Sequence, residues 1–148
     1  MKRPSVWLDR NLITLHACFA LCLTEASFQR ELKRMKMPRA SWPNFLLTPH
    51  ANATCHEFET QSGQVSFIVC IEIRRNVTAT QVYALLVHEA VHIWQAYCRR
   101  IGEEKPSAEF EAYAIQWLSQ QLMQSLIDQR KYQRQARRAQ TAGKGEKQ

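Results

Sequence analysis

Between Val82 and Cys98 the chain sets out seventeen consecutive residues of which only His88, Glu89, His92 and Gln95 are neither apolar nor aromatic. At about 100° per residue those four side chains fall within an arc of roughly 120°, with His88 and His92 about 40° and 6 Å apart. The rest of the circumference asks for burial. Such a helix has to run through the middle of a domain, and it carries two imidazoles and a carboxylate with it, which is costly unless something pairs with them. Its ends are also written in the sequence. Thr78-Ala79-Thr80-Gln81 is a capping-box pattern and Gly102 is a stop, which predicts a helix from Thr78 to about Arg100.

The segments around it read as α+β. Leu12, Leu15, Phe19, Cys22, Leu23, Phe28 and Leu32 predict an amphipathic N-terminal helix from about Asp9 to Lys36, closed by Pro38 and Pro43. The stretch from Pro38 to Asn52 is rich in proline and asparagine and reads as an irregular connection. Two extended segments follow, Ala53 to Thr60 and Val65 to Arg74. The Gly-containing turn Gln61-Ser62-Gly63-Gln64 between them suggests a hairpin within a small antiparallel sheet. A last helix begins near Ser107 and continues to about Gln129 or beyond.

A net charge of +7 suggests a nucleic-acid partner until it is located along the chain. From Gln129 to Gln148 there are seven Lys/Arg against one acid, which leaves the body close to neutral. The chain therefore divides into one domain over 1–129 and a basic tail over 130–148 expected to be flexible or to fray. Nucleic-acid binding through that tail is an option with little aromatic support. Cys18, Cys22, Cys55, Cys70 and Cys98 are an odd number without framework spacing, which fits a reducing compartment. Cys18 and Cys22, four apart and near His16, read as small buried side chains before they read as metal ligands. No apolar run is long enough to span a bilayer. Polar residues interrupt any secretory leader at the N-terminus, so a cytoplasmic protein without a membrane partner is expected.

Two neutral imidazoles one helical turn apart can both reach a zinc ion at about 2.1 Å from their ring nitrogens. Glu89, beside the first of them, then faces the water on the metal rather than the metal. It can act as general base toward that water. The motif is short, so its place on an otherwise apolar helix matters more than its letters. A catalytic zinc ordinarily takes three protein ligands, and no histidine follows His92, which excludes the metzincin and SprT-like arrangements. Upstream stand His16, His50 and His56, of which His56 on the first extended segment is the best placed for a cleft. Downstream, Ser107-Ala108-Glu109-Phe110-Glu111-Ala112-Tyr113-Ala114 offers two carboxylates. These also suit the first turn of a helix, where acids are favoured by its dipole.

With His88-Glu89-Ala90-Val91-His92 followed by Glu109-Phe110-Glu111-Ala112, the chain resembles the gluzincin metallopeptidases, in particular the compact phage-associated and ImmA-type members. The resemblance covers about Val65 to Leu122. It implies a zincin-like fold, one Zn2+ per chain held by His88, His92 and Glu109 with Glu111 as the alternative, and peptide or protein substrates. Where those relatives carry Asp or Asn, this chain has Tyr113, which either donates to a developing oxyanion or packs. The resemblance further implies that a strand beside the motif helix pairs with the substrate backbone, and Val65 to Ile73 is the candidate. The competing expectation is a catalytically inactive zincin-shaped binding protein, for which the departure at position 113 speaks.

Overall fold

The computed structural model describes residues 17–59 and 63–145. Its centre is the second extended segment, β3 (Val65–Ile71), buried along nearly its whole length. A strand that is apolar on both faces needs cover on both sides, and β3 has it. Phe67, Val69 and Ile71 point into one core, together with Phe19 and Leu21 of β1 (Ala17–Cys22). Ile68 and Cys70 point into a second core with Cys22, Phe28 and Leu32. Strand order is β1-β3-β2, with β2 spanning Ala53–Glu59. β1 lies parallel to β3, and β2 lies antiparallel to it with Cys55 opposite Val69 and Glu57 opposite Phe67.

One face of the sheet is covered by α1 (Glu25–Arg34), whose Phe28 and Leu32 are buried against it. The other is covered by α2 (Ala79–Ile101) and α3 (Ala108–Gly145). α2 begins and ends where the sequence says it should. The Thr78 hydroxyl accepts from the Gln81 amide at 3.2 Å, and Gln81 accepts in return from the Thr78 amide at 2.8 Å. Gly102 then adopts φ 70°, a left-handed stop that a side chain would strain. α3 packs on α2 through Ala114, Leu118, Leu122 and Leu126, one every fourth residue and all buried. Truncating any of these leucines to alanine costs about 2–5 kcal/mol by loss of transfer energy and cavity formation.

The architecture is mixed α+β, and several sequence expectations change. The predicted N-terminal helix is not one element. Residues 17–22 form β1, and helix starts only after Thr24, whose hydroxyl accepts from the Ser27 amide at 3.1 Å. The run Ala17-Cys18-Phe19-Ala20-Leu21-Cys22 is apolar throughout, and a continuous apolar run carries no period that separates strand from helix. The part of that prediction before Ala17, with His16, lies outside the described residues. The hairpin of β2 and β3 forms, but the sheet is mixed rather than antiparallel because β1 joins in parallel. α3 runs beyond Gln129, as the sequence allowed, and the basic segment continues it to Gly145. Among the described residues no helix is long and apolar enough to cross a membrane.

Candidate functional site

Two elements build the site. α2 presents His88 and His92 toward β2 and solvent, while Glu89, one residue on, turns inward and is only 3% exposed. The imidazoles stand edge to face, ring centres 4.6 Å apart. Their Nε2 atoms are 3.0 Å from each other. Either one N–H donates to its neighbour's lone pair, or both lone pairs serve one cation. Two nitrogens on a tetrahedral zinc at about 2.1 Å each are roughly 3.4 Å apart, so the observed spacing is within a few tenths of an ångström of that demand. The expectation of buried imidazoles is not met, since both rings are exposed. The carboxylate is the buried group.

Glu89 has an oxygen, Oε2, that is buried with no hydrogen-bond partner among the described residues. Burial pushes its pKa above the ordinary carboxylate value, while the charges of His92 and His88 pull it back. A buried acceptor without a partner thus stands next in the chain to His88, in the groove that the two converging ring nitrogens also line.

These groups open on a groove of about 460 Å³ between α2, β2 and the connection at Leu47, Thr48 and Ala51. Cys55 and Glu57 of β2 face into it. The Cys55 thiol is pushed up to about 12 by burial and by the charges of Glu89 and Glu57, so it stays protonated at neutral pH. Arg100 at the end of α2 pairs with Glu57, and also with Glu59 at 2.9 Å, tying the helix to the strand. Sequence reasoning passed over Cys55, Glu57 and Arg100. The period-2 alternation of β2 carried the signal, because it sets Cys55, Glu57 and Glu59 on the face opposite Thr54 and His56.

The residues expected from α3 are not brought to the groove. Glu109 and Tyr113 are exposed, Tyr113 by 64%. Glu111 accepts from the Trp94 indole N–H at 3.2 Å and lines a second cavity with Trp94, Cys98, Glu103 and Glu104. Trp94 lies roughly 140° around α2 from the mean direction of the two imidazoles, which is why an acid that meets it misses them. Among the described residues no three His, Cys, Asp or Glu side chains are grouped closely enough to hold an ion. His56 is on the far face of the sheet, its Nε2 3.1 Å from the Phe45 carbonyl and its ring stacked 4.7 Å from Phe28, and burial lowers its pKa. His50 is exposed in a turn.

Comparisons with known protein families, with curated proteins and with solved structures give no match. The site must be judged on its own geometry.

That geometry also relocates the substrate edge. β3 is paired on both sides, by β1 and β2, and has no edge left for a peptide, contrary to the expectation for Val65 to Ile73. Among the described residues β1 and β2 are the outer strands, and it is β2 that borders the groove.

Proposed function

We propose that the chain is a zinc-dependent peptidase, with His88 and His92 holding the metal at the mouth of the groove and Glu89 acting as general base. One observation carries this: two ring nitrogens converge to 3.0 Å in the groove that is also lined by Glu89, a buried carboxylate with an unpartnered oxygen. Zinc, when bound, would acidify a water and polarise a scissile carbonyl. Glu89 would take the proton from that water, its burial favouring the protonated state that follows. The outer edge of β2 would offer main-chain hydrogen bonds to an extended chain, which is what favours peptides as the substrate class.

Two protein donors, His88 and His92, converge for the metal; the third that the resemblance implies is Glu109 or, as the alternative, Glu111. Neither lines the groove, so the metal contents of Glu109→Gln and Glu111→Gln are the measurements that assign it. The decisive experiment pairs zinc analysis of the full-length protein with Glu89→Gln. One zinc per chain is expected in both, with peptide hydrolysis about 10²–10⁴-fold slower in the variant. Absence of zinc, or equal hydrolysis by both proteins, refutes the proposal. The distance of the α3 acids from the groove favours one second reading, a zincin-shaped binding protein without turnover. Its mark would be metal and fold retained with no hydrolysis by either protein.

A further inference from the structure

Beyond the end of its packing on α2, α3 carries Arg130, Lys131, Arg134, Arg137 and Arg138. Taken at about 100° per residue, these five occupy an arc of roughly 120°, while Tyr132, Ala136 and Ala139 fall on the opposite side. The composition of this stretch alone suggested fraying; as a helix it becomes a stripe. Arg130, Lys131, Arg134 and Arg138 line a groove of about 520 Å³ whose other wall is Tyr83 of α2. None of the five cations forms an ion pair among the described residues, and Asp128, two residues before the stripe, accepts from Gln124 at 3.1 Å. A line of unneutralised charge held on a rigid helix attracts a polyanion.

We propose that this stripe is a docking surface for double-stranded DNA, gripped through the sugar-phosphate backbone. Four of the five cations are arginines, whose planar forks match phosphate oxygens in pairs. From Arg130 to Arg138 the stripe is about 12 Å long on a helix about 10–12 Å across, dimensions that a B-form major groove of about 12 Å admits. A-form RNA has too deep and narrow a major groove for this approach. The groove holds one aromatic side chain, Tyr83, and so lacks the stacking platform that captures successive unpaired bases. Besides Tyr83 the groove has one apolar side chain, Ile127, 46% exposed, which is too little apolar area for a helix face seated in a bilayer or for the centre of a protein interface. The five cations stand on a different helix from His88 and His92, and their role does not depend on the peptidase proposal.

The test is fluorescence anisotropy of the full chain with a labelled 20-base-pair duplex of mixed sequence, titrated between 50 and 200 mM salt. If all five cations meet phosphates, the log–log salt slope is about −4.5, and affinity falls about 500-fold over that range. Arg130→Gln/Arg134→Gln/Arg138→Gln is expected to flatten the slope to about −1.8 and the fall to about 12-fold. Arg138→Gln alone, at an exposed position where folding is not at stake, should remove about 0.9 from the slope. Lys33→Gln/Arg75→Gln/Lys105→Gln removes the same charge elsewhere and should leave the slope unchanged. The proposal is overturned if Arg138→Gln leaves the slope intact or if the control triple flattens it equally. It is also overturned if a single strand of the same length, phosphatidylserine vesicles or polyglutamate bind more tightly than the duplex.

Discussion

Glu89→Gln has a consequence for stability that is separate from its consequence for activity. The carboxylate is 3% exposed and leaves Oε2 without a partner. An unsatisfied buried polar group costs about 1–3 kcal/mol, and more when charged. Glutamine keeps the shape and removes the charge, so the metal-free variant is expected to be more stable than wild type by about 1–3 kcal/mol at pH 8. In a domain of this size that is roughly 2–4 °C of Tm per kcal/mol. The sign with pH follows from burial raising the folded-state pKa above the unfolded one. Stability from the protonated group is complete below the unfolded pKa and is lost as pH rises through the folded pKa. The gap between variant and wild type should therefore widen from pH 5 to pH 8. Differential scanning calorimetry of both proteins after chelator treatment measures it. If the two melt together at pH 8, or differ by the same amount at both pH values, Glu89 is not the strained group described above.

Three other outcomes can be checked alongside. Arg100→Ala, which frees Glu57 and Glu59, should cost about 1 kcal/mol in urea unfolding; a loss that persists in 1 M NaCl would point to packing rather than charge. His56 has its pKa lowered by burial, so the unfolded chain binds the extra proton first, and wild-type stability should fall as pH drops below about 6.5. His56→Gln should show a flatter pH dependence between 7 and 5 whatever its absolute stability, and an unchanged slope would exclude His56 as the source. Trp94→Ala removes a buried indole that also donates to Glu111, and should cost about 3–5 kcal/mol by denaturant titration. A cost below 1 kcal/mol would mean that α2 and α3 are not locked at this point.

How much of this was legible beforehand depended on whether the information is local. The limits of α2 are local, since a capping box and a left-handed glycine act within four residues, and both were readable at Thr78 and Gly102. The hairpin was readable from Val65 to Ile71 and its glycine turn. Residues 17–22 were not, because being apolar on every position fits a strand covered on both faces as well as a buried helix, and only pairing with β3 decides. The histidine pair followed from helical periodicity. The inward turn of Glu89 was the less evident half, since the arc that holds all four polar residues does not say which edge of it faces the core. Where Glu109 and Glu111 point depends on how α3 rolls on α2, and that is fixed by Leu118, Leu122 and Leu126 far downstream.

The tie between Arg100 and β2 reaches beyond holding two elements together. An unpaired strand margin accepts any extended backbone, a second copy of the same chain included. Among the described residues β2 has such a margin, and it carries Glu57 and Glu59, both engaged by one guanidinium from the far end of the helix whose middle bears the imidazoles. Roughly 18 Å of α2 separates His88 from Arg100, so a single rigid rod guards the strand margin at one end and carries the imidazole pair toward its middle.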